Sequence, residues 1–227
     1  AVTKEDYITR IYALPAKYGN VAKAYIVQDT QLDSQSGANS DGRIINPLAL
    51  NLYVLGFNAT KKLAIVNQAV KENIQTYLTQ FRMVTDAVNI KNAFVINVGV
   101  NFSLLTKVGY NKEEVVLKAI QKVKDYFNID KWQIGQPIVL ADIAYQLSLV
   151  DGVSAVVPPE EDNPNGLPVL ITNKFKVSGG YSGNIYNINQ ATKDGIVYPS
   201  LDPSCFELKF PNADIQGRVI GDSTGGN

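Results

Sequence analysis

The chain has 227 residues, 45% hydrophobic and 19% charged, with 21 basic and 21 acidic side chains, a balance typical of a globular protein with a real core. The zero formal net charge argues against a nucleic-acid binder, and no apolar run approaches the ~20 residues of a membrane span. Histidine is absent and Cys205 is the only cysteine, which excludes the usual general base, His-dependent nucleophile pairs and an intrachain disulfide.

The first predicted element is a helix with a capping box. Thr3 and Asp6 have the spacing of the box, and Pro15 ends the helix. Because this cap follows Ala1 almost at once, without a charged-then-apolar leader, we interpret the sequence as a fragment or processed product of a longer polypeptide. Residues 21–27 then alternate as a strand.

A long polar segment, residues 29–46, predicts a solvated loop or hairpin. Its three aspartates, Asp29, Asp33 and Asp41, lack the spacing of a calcium-binding loop. Long loops in compact domains are often functional, so contact with a partner is expected here.

The next elements are an apolar strand over residues 48–57 and a helix over residues 60–82, predicted to be the longest of the chain. The helix presents one apolar stripe: Leu63, Val66, Val70, Ile74, Tyr77 or Leu78, and Phe81.

The clearest strand of the sequence runs from Phe94 to Leu104, with an apolar residue at every second position. The residues between include Asn97, Asn101 and Ser103, so the pattern predicts one buried and one wet face. The wet face is either simply solvated or meets a neighbouring subunit.

Two further helices follow this strand. Asn111 and Glu114 mark the start of the first helix. Its predicted buried face is formed by Val116, Ile120, Val123 and Phe127. The second covers about residues 139–150, with an apolar side formed by Leu140, Ile143, Ala144 and Leu147. A turn at Asp151-Gly152 leads into a strand over residues 153–157, and we interpret Trp132 as a lid over the core edge rather than a ligand platform.

This order predicts an α+β fold in residues 1–157, an antiparallel or mixed sheet with helices on one face in ferredoxin-like units. Residues 158–227 predict a β-rich C-terminal domain or arm, part of which packs on the main domain or on a neighbouring subunit. Its predicted strands cover residues 167–177, 185–188, 196–198, 206–210 and 218–220, with turns at residues 179–183 and at Asp194-Gly195 and a frayed end from Asp222.

No catalytic, cofactor-binding or metal-binding residue is predicted. The acids Glu113 and Glu114 suit a helix start, and the acids at residues 160–162 lie in a linker, so neither set resembles an opposed carboxylate pair. Cys205 lacks a histidine partner, and the sequons at Asn58 and Asn101 are interpreted as chance.

Two motifs are similar to segments of the baseplate J-like proteins of contractile phage tails. The first is Val2-Thr3-Lys4-Glu5-Asp6-Tyr7, then Leu14-Pro15 and Val21-Ala22-Lys23-Ala24; the second is Ile134-Gly135-Gln136-Pro137-Ile138, then Val150-Asp151-Gly152-Val153-Ser154-Ala155-Val156. Ala141 departs from the pattern where the family tends to have a capping serine. The richness in Tyr, Asn and Ile and the added C-terminal tail resemble the larger members of the family in myoviruses, the baseplate wedge proteins of T4-like phages.

The resemblance implies a non-enzymatic structural component of a phage tail baseplate, located in the virion and assembled in the host cytoplasm. Its implied partners are further copies of itself, as a homodimer or higher oligomer, and other wedge proteins that join into the baseplate ring. A different class stays open: a non-catalytic glycan- or ligand-binding module that uses the loop at residues 29–46 and the tyrosines of the tail.

Overall fold

The computed structural model describes residues 3–28, 49–81, 87–159, 163 and 165–223. The chain divides into two compact units. The first consists of Ala1–Val95, Gln133–Gly135 and Ser200–Cys205; the second consists of Ile96–Trp132, Gln136–Pro199 and Phe206–Asn227. Helices and mixed sheets occur together, so the predicted α+β class is confirmed.

The first unit begins with the capped helix that the sequence predicts. Its described elements are α1 (Lys4–Tyr12), a 3₁₀ turn (Ala16–Tyr18), β1 (Lys23–Gln28), β2 (Ala49–Phe57), β3 (Leu63–Ala64), α2 (Gln68–Thr79) and β4 (Ala87–Asn92). The Thr3 hydroxyl accepts a hydrogen bond from the Asp6 N–H, and the Asp6 carboxylate accepts one from the Thr3 N–H. Both bonds use main-chain donors that a helix start otherwise leaves unpaired.

The sheet of the first unit is mixed. β2 pairs antiparallel with β1 and parallel with β4, and β3 closes a short hairpin on its end. The parallel strands are therefore direct neighbours, whereas a ferredoxin-like unit places another strand between them, so that finer prediction of strand order is not met here. Helices and sheet share one core, whose largest members are Tyr7, Ile11, Ile26, Leu52, Ile74 and Leu78.

The second helix starts later than predicted. Asn58 accepts hydrogen bonds from the Thr60 and Lys62 N–H groups, which folds residues 58–62 into the hairpin turn before β3. The helix begins only after Asn67, whose side chain accepts from the Val70 N–H at 2.9 Å. A side chain that bonds its own main chain competes with a helix, which is why the apolar stripe alone misplaced the start.

The elements from β5 onward lie in the second unit, except for Phe94–Val95 of β5 and Ser204–Cys205 of β11, which lie in the first. They are β5 (Phe94–Lys107), α3 (Lys112–Tyr126), β6 (Ile138–Val139), α4 (Leu140–Ser148), β7 (Val153–Val157), β8 (Leu170–Asn173), a 3₁₀ turn (Val177–Gly179), α5 (Ile188–Ala191), β9 (Thr192–Lys193), β10 (Ile196–Val197), β11 (Ser204–Glu207), α6 (Pro211–Asp214) and β12 (Ile215–Ser223). Among the described helices, α3 is the longest, not the helix predicted at residues 60–82.

Strand β5 is the centre of the larger sheet. It pairs antiparallel with β8 and β7 and parallel with β12, and β11 is also its neighbour. Val100 and Asn101 pair with β8 and β12 at once, so these two strands lie on opposite sides of β5. Each of the four strands is held in the sheet through β5.

The apolar residues of β5 are buried as predicted from Ile96 onward, whereas Phe94 is exposed. The buried side chains of α4 are the predicted Leu140, Ile143 and Leu147. In α3 the predicted Val123 and Phe127 are buried, whereas in the first half of the helix Val115 and Ala119 are buried in place of the predicted Val116 and Ile120. The helix packs against both α4 and β12, so its apolar flank at Val116 and Ile120 is half-buried rather than central.

Trp132 lies in an aromatic cluster of the second unit. It is buried, its ring stacks on Phe127 at 5.1 Å between centroids, and Tyr126 lies 5.5 Å away. These contacts agree with its interpretation as part of the core edge.

Residue 157, after which the sequence predicts the C-terminal part, lies inside the second unit. The predicted turn at Asp194-Gly195 is present, with φ of 53° and 75°, the positive values of a tight hairpin turn. The strand predicted at residues 185–188 is wrong: α5 starts there, with Asn187 accepting from the Gln190 N–H. Instead of forming the predicted hairpin turn, Gly179 ends a 3₁₀ turn and Gly180 follows it.

Some predictions lie outside the described residues. These are the loop at residues 29–46 with its aspartates, the helix end at Arg82, the acids at residues 160–162 and the chain end from residue 224. Of the helices that are described, none combines the length and the apolar character that a membrane crossing requires.

Residues 158–227 expressed alone should not fold cooperatively. Their strands β8, β11 and β12 take their sheet partner from β5, which the fragment lacks. Thermal unfolding followed by circular dichroism should show no sigmoidal transition for the fragment and a clear one for the whole chain. A cooperative transition in the fragment would show that the tail is an independent domain.

Candidate functional site

The polar side of β5, formed by Asn97, Gly99, Asn101 and Ser103, is not the wet face that the sequence predicts. Asn97 and Ser103 are buried, and Asn101 is half-buried. The prediction of a polar face is right and the prediction of its solvation is wrong. Later segments of the chain cover this face and supply hydrogen-bond partners, as buried polar groups require.

Asn97 is the centre of this buried polar network. Its Nδ2 donates to Glu207 Oε2 at 2.8 Å, and its Oδ1 accepts from the Ser182 N–H at 2.8 Å. Its main-chain carbonyl accepts from the Lys174 N–H, also at 2.8 Å. The side chain and main chain of Asn97 therefore connect β5 to β11 and to the segment after β8.

That segment, residues 174–186, has little regular structure and is fixed by side chains; we call it the anchored loop. Asn173 Oδ1 accepts from the Tyr186 N–H at 2.9 Å, at the end of the loop. In the middle of the loop, the Tyr181 hydroxyl donates to Asp214 Oδ1. Asp214 is buried, and its other oxygen accepts from the Phe210 N–H at 2.9 Å. The loop is thus tied to the sheet at both ends and at its centre.

Gly99 is required where the anchored loop approaches β5. A Cβ at this position would lie 2.6 Å from Lys174 Cε and 2.8 Å from Thr172 Oγ1. Both distances are shorter than a carbon atom tolerates, so glycine permits the covering segment to approach this closely.

The anchored loop presents apolar side chains to solvent. Val177 is 71% exposed and Ile185 is 78% exposed, and Phe175 is exposed beside them in sequence. Loops that carry recognition are positioned by a rigid scaffold, and the hydrogen bonds described above provide one. This makes the anchored loop the best candidate for an interaction surface among the described residues.

Two tyrosines of the tail use their hydroxyl groups inside the unit. Tyr181 donates to Asp214, and Tyr186 donates to the Tyr198 carbonyl at 2.7 Å. A glycan-binding role for the tail tyrosines would have to compete with these bonds. The loop at residues 29–46, the other part of that alternative, lies outside the described residues.

A second polar feature lies further along the same side of β5. Arg218 Nε donates to Ser103 Oγ at 3.1 Å, beside a cavity of about 220 Å³ that Asn101 and Gln216 also line.

The acids Glu113 and Glu114 and the thiol Cys205, which were considered as candidate catalytic groups, make no hydrogen bond to Asn97. Glu113 and Glu114 lie in the first turn of α3, where Asn111 caps their N–H groups. Cys205 is buried, with Sγ 3.7 Å from the Gln133 carbonyl. Within the described part of the chain, no three His, Cys, Asp or Glu residues come together as a metal site.

Sequence reasoning missed Glu207 and Asp214, the two buried acids of the network. Glu207 alternates with apolar residues in a predicted strand, and Asp214 follows Pro211 in a segment with no predicted element. The alternation of Glu207 and Lys209 with apolar residues predicts a solvent-facing acid, so no local signal indicates that Glu207 is buried.

The chain was compared with known proteins. No protein-family model matches it, and no curated protein matches it. It is similar to a chain in the cryo-EM structure of the anti-feeding prophage (AFP) baseplate, sixfold symmetrised, with a TM-score of 0.53 and 12% sequence identity. The match covers 91% of this chain and 38% of that chain. At this identity the similarity shows a shared fold, and membership of the baseplate J-like family stays a prediction.

Replacing Asn97 by leucine should destabilise the protein by about 2–4 kcal/mol, because the buried Glu207 carboxylate and the half-buried Ser182 N–H each lose a hydrogen bond, and an unsatisfied buried group costs about 1–3 kcal/mol. Asn101→Leu is the matched control, since the Asn101 side chain is half-buried and makes no hydrogen bond within the described residues. Urea unfolding of both variants measures the difference. Equal stabilities would show that the Asn97 network contributes nothing to the fold.

Burial, reinforced by the hydrogen bond to Asp214, raises the pKa of Tyr181 from 10.0 to about 12. The unfolded chain ionises this phenol near its ordinary pKa, so the stabilisation from Tyr181 is complete below pH 10 and is lost as the pH rises toward 12. Alkaline absorbance titration of the protein minus that of Tyr181→Phe should give a single phenol with this pKa. A difference curve centred near pH 10 would contradict the buried hydrogen bond.

Proposed function

We propose that this chain is a structural component of the baseplate of a contractile phage tail or a related tail-like particle. The observation that carries the proposal is the fold similarity, which extends over 91% of the chain to a chain from a baseplate. The two sequence motifs support it independently, because they rest on side-chain identities at residues 2–24 and 134–156 rather than on the backbone.

In finer terms, we propose a wedge protein that self-associates and joins neighbouring wedges into the baseplate ring. Support comes from the family resemblance and from the exposed apolar side chains of the anchored loop, Val177 and Ile185. Aliphatic side chains held on a fixed backbone bury surface at little entropic cost, which suits assembly by surface complementarity. The matched AFP chain is much longer than this one, so the roles of a whole wedge protein are part of the proposal.

We further propose that the chain has no enzymatic activity and resides in the virion tail after assembly in the host cytoplasm. The sequence contains no histidine, and the buried acids Glu207 and Asp214 accept hydrogen bonds that build the fold. Carboxylates used in this way are structural acceptors rather than proton-transfer groups in a cleft.

Deleting the coding region in its native genome tests the role directly. Tails purified from the deletion strain should lack complete baseplates in negative-stain electron microscopy, and the wild-type gene in trans should restore them. Intact baseplates in the deletion strain would overturn the proposal.

The interaction surface has its own test within the same complementation assay. Val177→Lys combined with Ile185→Lys should fail to restore baseplates, because two charges would be buried in the contact. Leu117→Lys is the control, since Leu117 is 67% exposed on α3, away from the anchored loop in sequence. Circular dichroism must show both variants folded. Restoration by the double variant would exclude the anchored loop as an assembly surface.

A further inference from the structure

We propose that the outer edge of β8 binds an extended, uncharged peptide segment of a partner protein, which adds a strand to the sheet of the second unit. This inference does not depend on the baseplate role, because it follows from the register of β8 and the cleft beside it.

The register of β8 decides which main-chain groups are free. The Lys174 N–H donates to the Asn97 carbonyl at 2.8 Å, and Thr172 stands opposite Gly99 two residues before. In an antiparallel pair only alternate residues exchange hydrogen bonds with the neighbouring strand. The N–H and C=O groups of Ile171 and Asn173 therefore point away from β5, toward the other side of β8.

That other side is a cleft of about 490 Å³. Its lining consists of Leu170, Ile171, Thr172, Asn173, Tyr186, Asn187, Ile188 and Asn189. The far wall is joined to β8 through a side chain: Asn173 accepts from the Tyr186 N–H and donates to the Asn184 carbonyl at 3.4 Å. No strand of the described part of the chain pairs with this edge, and both Ile171 and Asn173 line the cleft. Asn173 is half-buried and Ile171 is buried, so the outward main-chain groups of Asn173 are the more accessible ones.

The cleft determines the chemistry of its occupant. Its lining combines apolar side chains, amides and a phenol and carries no charge, which fits an uncharged segment. The four residues of β8 span about 13 Å, and donors and acceptors that repeat every second residue match an extended main chain. Addition of a strand to an exposed edge is an established mode of peptide recognition.

β8 also lacks the features that protect sheet edges against pairing. Its sequence, Leu170-Ile171-Thr172-Asn173, contains no proline and no charge, and its pairing with β5 is regular. By contrast, β7 and β12 are interrupted by register shifts at Leu105/Thr106 and at Val219/Gly221. Bulges, prolines and charges normally blunt an exposed edge, so an edge without them suits a partner strand.

Selection of short random peptides displayed on phage against the whole chain tests the proposal. Enriched peptides should be uncharged with alternating apolar residues, and N-methylation of every second main-chain nitrogen should abolish their binding. Hydrogen exchange followed by NMR should show the amides of Ile171 and Asn173 slowed by the bound peptide. Selection of no peptide, or of peptides that bind without slowing these amides, would overturn the proposal.

Two lysine variants on α5 localise the binding. Asn189→Lys places a charge in the lining of the cleft and should weaken the selected peptides by about tenfold or more. Gln190→Lys adds the same charge at the next exposed residue, outside the lining, and should leave binding unchanged. Equal binding by both variants would exclude the cleft as the site.

Discussion

The second unit depends on the main-chain hydrogen bonds of β5. Its 14 residues supply sheet partners to β7, β8, β11 and β12, and the two edges of the strand are occupied by different chain segments at the same residues. The two faces of the strand differ, since the apolar side chains from Ile96 to Leu104 are buried and the polar side is covered by C-terminal segments. A strand with both edges and both faces in use tolerates change poorly, because each residue satisfies several constraints at once.

Much of the fold is predictable where the deciding interaction is local. The capping box at Thr3, the cap at Asn111 and the turn at Asp194-Gly195 each depend on residues fewer than five apart, and all three form as expected. The start of α2 was misplaced because Asn58 bonds its own main chain, a competition that an apolar stripe does not reveal. Which residues are buried in the first half of α3 depends on the elements that flank the helix, which is tertiary information.

The candidate site was predictable only in its polarity. The alternation around Asn97 is visible in the sequence, but its partner Glu207 lies 110 residues away and Ser182 lies 85 residues away. Sequence alone cannot choose between water and a distant segment as the partner of a polar strand face. For the same reason, the sequence of the anchored loop predicts only a glycine-rich turn. Its hydrogen bonds to Asn173 and Asp214 are visible only in the structure.

The separation between β5 and its last partners affects how the chain is made. Arg218, which bonds Ser103, is synthesised 115 residues after it, on the order of ten seconds at a typical ribosomal rate of roughly 5–20 residues per second. Pairing over such distances slows folding, and a long apolar strand without partners is prone to aggregation in that interval. Before the C-terminal segments are synthesised, Asn97, Asn101 and Ser103 keep one face of the nascent strand compatible with water. The polar side of β5 therefore also protects the chain during synthesis.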